Sequence, residues 1–323
     1  MASIAFPSLA KKATLSDGTT YGYVSVSPQS RSKPTFLLLH GYPSSCFDWR
    51  HQIAGLQKAG YGIIAPDLLG YGDTDKPTDP AAYRLKTMSG HMAEILDIEG
   101  VERAIAVGHD WGCGLASSLV IHQTRRFHGF VFMAVGYIAP GVRANRKETA
   151  HLFGYWEWHN TEEAVSDINE HPASEFTLFY PHDPVMFRDI LAPVGKAAEY
   201  VRAGHFDPLP SWYSLAEYTT RDRIFAQGGY AGPLCWYKAP LRGVNAADDD
   251  AVSEEDKVCR APVLLIAAEK DYVCLADKQE EGTKAFATDV RLERLGTGHW
   301  VQLEKPDEVN ALITKFAREI LGE

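Results

Sequence analysis

Long apolar runs are missing from this chain. None approaches the length needed to cross a bilayer. The N-terminal stretch MASIAFPSLAKK places its lysine pair behind a short, proline-broken apolar run, the reverse of a secretory signal. Cysteine is scarce as well. Cys46, Cys113, Cys235, Cys259 and Cys274 are odd in number, scattered, and include no Cys-x-x-Cys pair. That pattern argues against a disulfide framework and against a structural zinc site. A reducing, cytoplasmic setting is the simplest expectation. Positive charge is in short supply: 32 Lys+Arg against 42 Asp+Glu leave a formal net charge of -10. A surface of that sign repels phosphate backbones and anionic lipid, so neither nucleic acid nor a membrane surface is expected as a partner. Internal repeats and low-complexity tracts are also lacking. What remains is ordinary for a globular protein: 323 residues, 45% apolar and 23% charged, enough for one large core plus an inserted lobe or for two small domains.

The pattern along the chain chooses between them. Thr14 to Val26 reads as a hairpin turning at Asp17-Gly18. Thr35–Leu39, Gly62–Ala65, Ala104–Val107 and Gly129–Val135 are short and apolar without alternation, as strands covered on both faces should be. Amphipathic stretches such as Asp48–Ala59 and Thr87–Leu96 lie between them. This alternation predicts a doubly wound, mostly parallel α/β sheet. From about Ile138 to Asn245 the text turns helical and aromatic. Helix starts are marked by Asn160-Thr-Glu-Glu, by Asp183-Pro184, and by Ser214 with Glu217 three residues on, while Gly228-Gly229 supplies a stop. Ala246–Lys257 (AADDDAVSEEDK) reads as a solvated acidic linker. Strands resume at Pro262–Ala268 and Val290–Leu295, and an amphipathic helix, Asp307–Leu321, closes the chain. The expected organisation is a core of residues 1–137 and 246–323 with a helical cap over 138–245.

Chemistry concentrates at strand ends. Ala104–Val107 runs directly into Gly108-His109-Asp110-Trp111-Gly112, followed by a helical stretch from Cys113 to Gln123. Strand, G-x-nucleophile-x-G, helix is the layout of a nucleophile elbow, in which the central residue is strained and stands exposed above the sheet. Here that residue is Asp110. A carboxylate is already ionised at neutral pH and can displace a leaving group from saturated carbon, giving an alkyl ester. Hydrolysing the ester needs a base and an acid that orients it, later in the chain. Asp271 and His299 sit just past the ends of two late strands, at the edge where such sheets bind ligands. Glu269 competes with Asp271 but lies closer to its strand. His40-Gly41-Tyr42-Pro43 follows the strand Thr35–Leu39. In this layout the backbone N–H groups of Tyr42 and Trp111 would form the oxyanion hole. Cys113, three residues past the nucleophile, reads as a small packing residue.

At this point the chain resembles the epoxide hydrolases of the α/β-hydrolase superfamily, those like the soluble mammalian, plant and fungal enzymes. HGYP (40–43), PDLLGYGDT (66–74), GHDWG (108–112), AEKD (268–271) and TGHW (297–300) follow that family's order and spacing over nearly the whole chain. Two segments of the insertion are similar too: Gly232-Pro-Leu-Cys-Trp-Tyr237 and Phe153-Gly-Tyr155. The resemblance implies that Tyr155 and Tyr237 are lid acids. An epoxide oxygen departs as an alkoxide, and a phenol O–H aimed at it stabilises and protonates it. It further implies a cis Tyr42-Pro43 bond, an apolar pocket lined by Trp111, Trp156 and Trp300 with Pro43 and His40 beside it, and no metal or organic cofactor. The partners implied are a small apolar epoxide and water, with no membrane insertion; a dimer is left open. Trp156 departs from the pattern, because its bulk beside Tyr155 would narrow the pocket. Two other readings stay open. A haloalkane dehalogenase uses the same Asp nucleophile, but commonly has Asn at the position of Tyr42, and the related fluoroacetate enzymes carry an Arg that WGCGLASS (111–118) lacks. A non-catalytic small-molecule receptor on this scaffold would not require Asp110, Asp271 and His299 together.

Overall fold

The computed structural model describes residues 1–141 and 151–322. Eight strands form one sheet: β1 Ala10–Thr14, β2 Thr20–Val26, β3 Thr35–Leu39, β4 Gly62–Pro66, β5 Ala104–His109, β6 Phe127–Met133, β7 Val263–Ala268 and β8 Val290–Leu295. Their order is β1-β2-β4-β3-β5-β6-β7-β8. β1, β2 and β4 pair antiparallel, and every later pairing is parallel. This is the mostly parallel α/β sheet expected from the alternating pattern, in the α/β-hydrolase arrangement that the family resemblance implied.

The apolar strands are buried end to end because both sheet faces are covered. Successive side chains of β3 show it: Leu37 and Leu39 join one apolar cluster, and Phe36 and Leu38 the other. Each such side chain contributes roughly 1.5–3 kcal/mol by leaving water. β6 begins at Phe127, two residues before the expected start, since Phe127 is itself buried in the core. The closing helix runs Pro306–Leu321, with Pro306 in its first turn, where a missing N–H is harmless.

Between β6 and β7 the chain leaves the sheet. The described helices there are Tyr155–His159, Glu163–Glu170, Pro172–Phe179, Lys196–Arg202, Leu215–Gly228, Ala231–Leu241 and Ala246–Asp250. Ser214 and Glu217 form a reciprocal capping box, and Gly229, at φ +65°, ends that helix. Asp183 does cap a turn, its carboxylate accepting the Val185 N–H at 3.0 Å, but the turn leads into a π-helical stretch, Phe187–Leu191. The acidic segment after Asn245 is not purely solvated. Asp248 is buried and accepts 2.5 and 2.8 Å hydrogen bonds from Arg84. A partner distant in sequence thus overrides the local composition. Side chains stitch the insertion to the sheet's C-terminal edge: Trp236 Nε1 donates to the Leu69 carbonyl at 2.8 Å, and Trp300 Nε1 to that of Phe179 at 2.6 Å. No described helix is long and apolar enough to cross a membrane.

Candidate active site

The site begins at a backbone constraint. β5 ends at His109, and the helix Trp111–His122 starts two residues later. Asp110 makes the turn between them at φ 52°, ψ -123°. A non-glycine residue held there costs about 1–3 kcal/mol, so the surrounding chain must impose it. It does: a Cβ at position 112 would lie 2.0 Å from the Leu39 carbonyl oxygen, and one at 108 would lie 2.7 Å from that of Gly112. Both flanking glycines are required by contact, Gly112 against β3 and Gly108 against the first turn of the following helix.

The strained turn aims the Asp110 carboxylate into a set of donors. Oδ1 accepts the Tyr42 N–H at 2.8 Å, and the Trp111 N–H also bonds the carboxyl. The Tyr42-Pro43 peptide bond is cis. On the other side, His299 Nε2 lies 3.6 Å from Asp110 Oδ2. His299 Nδ1 is 2.6 Å from Asp271 Oδ2. Asp271 Oδ1 in turn accepts the N–H groups of Val273 (3.0 Å) and Cys274 (2.9 Å). A carboxylate only accepts, so the His299 proton sits on Nδ1 and Nε2 faces Asp110.

Charge follows from this geometry. Burial is the largest influence on all three groups. It pushes the Asp110 carboxyl up, and His299 with the two N–H donors only partly offsets it. Burial pushes Asp271 up as well, but His299 and the Cys274 and Val273 N–H groups outweigh it, and the net shift is down. Burial pulls His299 down, yet the adjacent Asp271 prevails, aided by Asp110, and the net shift is up.

Aromatic rings from the insertion close the top. The rings of Tyr155 and Tyr237 meet at 5.8 Å and 74°, and Tyr237 also packs edge-on to Trp111 at 5.1 Å and Tyr42 at 5.0 Å. Burial first, then the Cys274 thiol and Asp110 for Tyr155, and Tyr155 and Asp110 for Tyr237, hold both phenols well above the usual tyrosine range. They stay protonated as donors. Trp156 lies over Trp111 at 5.4 Å and against Tyr237 at 5.7 Å, taking up space as its bulk suggested.

Known proteins resemble this chain in sequence and in fold. A family model for the alpha/beta hydrolase fold matches residues 34–162. Epoxide hydrolase A of Mycobacterium tuberculosis is 30% identical over 295 residues, covering 88% of this chain and 90% of that protein. The chain belongs to the epoxide hydrolases. The bifunctional epoxide hydrolase 2 of rat is 27% identical over 93% of this chain, which spans 55% of that longer protein. Among solved structures, epoxide hydrolase A from Mycobacterium thermoresistibile superposes with a TM-score of 0.81 at 26% identity, covering 96% of this chain and 98% of that one. An epoxide hydrolase from an endophytic Streptomyces gives 0.81 at 25% identity over 95% and 94%.

Within this epoxide hydrolase the fold brings Asp110, Asp271, His299, Tyr42, Trp111, Tyr155, Tyr237 and Trp156 to one place. Glu269, the rival of Asp271, is exposed. Two residues expected in the pocket wall also hydrogen-bond to the scaffold. His40 is buried with Nδ1 2.9 Å from the Gly41 carbonyl oxygen and Nε2 accepting the Leu68 N–H at 3.0 Å. Trp300 spends its N–H on Phe179 and stacks on Tyr180 at 4.0 Å. Both stiffen the loops behind the site. Pro43 acts as a joint: its carbonyl accepts the Tyr180 hydroxyl at 2.9 Å and Arg221 at 3.4 Å. Cys113 packs in the core, as expected.

Sequence reasoning missed Glu175. It is fully buried and accepts the Tyr42 hydroxyl. The available signal was a lone acid inside the apolar helix PASEFTLF. Burial pushes its carboxyl from the ordinary 4.5 up to about 8, against the Tyr42 hydrogen bond and Arg221. The folded protein therefore keeps a proton that the unfolded chain releases, and stability falls as pH rises from 4.5 to about 8. Glu175→Gln carries no such proton. In parallel thermal melts its Tm should gain steadily on the wild type across that window; a constant difference would show that Glu175 is ionised throughout.

Proposed function

We propose that this chain hydrolyses a small apolar epoxide to a vicinal diol through an alkyl ester on Asp110. The observation carrying the reading is the Asp110 carboxylate, held by two backbone N–H donors with His299 Nε2 3.6 Å from its other oxygen. In the first half-reaction an Asp110 oxygen attacks one epoxide carbon. The ring C–O bond breaks, its electron pair goes to oxygen, and Tyr155 or Tyr237 supplies the proton. In the second, water attacks Asp110 Cγ and gives a proton to His299 Nε2. The Tyr42 and Trp111 N–H groups bind the oxyanion. Collapse breaks the bond between Cγ and the alkyl oxygen, and His299 returns its proton to that oxygen. The new carboxylic acid loses the second water proton, which restores the tyrosine. Esterification also prepares the base, because it removes the Asp110 charge that helps keep a proton on His299.

A cap over residues 138–245, seated on a core of 1–137 and 246–323, supplies both tyrosines and excludes water from the first step. The aromatic walls suit an apolar substrate. Five buried free thiols support a cytoplasmic setting. The test is His299→Gln with a reactive aryl epoxide. Intact-mass spectrometry should show protein plus one substrate, attached at Asp110, with little diol released. Full steady-state turnover by that variant would assign the base elsewhere.

A further inference from the structure

The mechanism leaves the Cys274 thiol unused. Cys274 lies on the turn after β7, three residues past Asp271, and is 8% exposed. Its backbone N–H holds the Asp271 carboxylate, but its thiol takes no part in either half-reaction. One ligating atom each from Asp271, Cys274 and His299 falls within 4.8 Å of the others, and all three residues are buried. Tetrahedral zinc holds nitrogen, oxygen and sulfur ligands about 3.4–3.6 Å apart, given metal–ligand distances of about 2.0–2.3 Å. Coordination would draw the widest of these separations in by about 1 Å and open the His299 Nδ1–Asp271 Oδ2 contact, now 2.6 Å, to the ligand spacing.

The donor set also selects the ion. Thiolate, imidazole and carboxylate together suit a zinc-class cation, whereas magnesium and calcium prefer oxygen ligands alone. We infer that Asp271, Cys274 and His299 form an inhibitory site for a thiophilic divalent cation of the zinc class. Binding forms metal–sulfur, metal–nitrogen and metal–oxygen bonds, releases the thiol proton to solvent and shifts the His299 proton from Nδ1 to Nε2; nothing is oxidised or reduced. The metal parts His299 from the carboxylate that orients it and removes the base. That the metal inhibits rests on His299 being the base; that it binds does not.

Two measurements separate these claims. Cadmium titrated into the whole protein should produce an ultraviolet thiolate-to-metal band that is lost in Cys274→Val. Zinc should inhibit diol formation reversibly, with activity restored by a chelator, and Cys274→Val should need at least about 10- to 100-fold more zinc, a range that even outer-sphere changes produce at metal sites. Each protein is scored against its own zinc-free rate. A band that persists in Cys274→Val, no band in the wild type, or inhibition of both proteins at the same zinc concentration would overturn the site. A band that needs Cys274 in a wild-type enzyme that zinc does not inhibit would keep the metal site and remove His299 as the base.

Discussion

Asp110→Ala is expected to fold and to lose diol formation by on the order of 10⁴-fold or more, as removal of a covalent nucleophile does. The fold should survive because the elbow is imposed by the close approach of Gly112 to the Leu39 carbonyl and of Gly108 to the Gly112 carbonyl, not by the carboxylate. Burial is the largest influence on Asp110, and it makes the ionised side chain unfavourable in the folded state. Removing it should therefore leave Tm at neutral pH unchanged or raised, the usual exchange between activity and stability at a site of this kind. Circular dichroism melts and a diol assay on one preparation check both halves. Alanine is a better choice than asparagine, which deamidates back to aspartate. Turnover well above background in the alanine variant would mean that water opens the ring directly.

The double substitution Tyr155→Phe with Tyr237→Phe should nearly abolish ester formation. Each single substitution should slow it by roughly 10²–10⁴-fold at most, the range for one positioned acid. The rings lie 5.8 Å apart and both phenols feel the Asp110 charge, so either can partly cover for the other. Their effects should be non-additive, as for residues acting as one unit. Ester hydrolysis should change far less, since the alkoxide is already protonated by then. Single-turnover kinetics on the three variants resolve the two steps. A halide leaves without a proton, so ester formation near the wild-type rate in the double variant would return the chain to dehalogenation.

Strand text was legible because burial on both faces leaves mostly apolar residues, and β3, β4, β5 and β7 carry that mark. The elbow was legible because its glycines answer to a local clash. Asp271 and His299 could be placed by chain order alone, each just past a strand. What escaped notice depends on contacts between segments far apart in sequence. Glu175 meets Tyr42 across 133 residues, and Asp248 meets Arg84 across 164. His40 and Trp300 sit inside recognisable motifs, and motif membership suggested substrate contact. Their hydrogen bonds to backbone carbonyl and amide groups, which no motif encodes, tie them to the scaffold as well.

The central claim is that an Asp110 oxygen, not one from water, enters the product. A single turnover in ¹⁸O-labelled water with enzyme in excess over epoxide tests it most directly. The first-turnover diol should be free of label and the Asp110 peptide should carry it, because water attacks Cγ and the original carboxylate oxygen leaves with the substrate. Label in the diol from the first turnover, with an unlabelled Asp110 peptide, would contradict it.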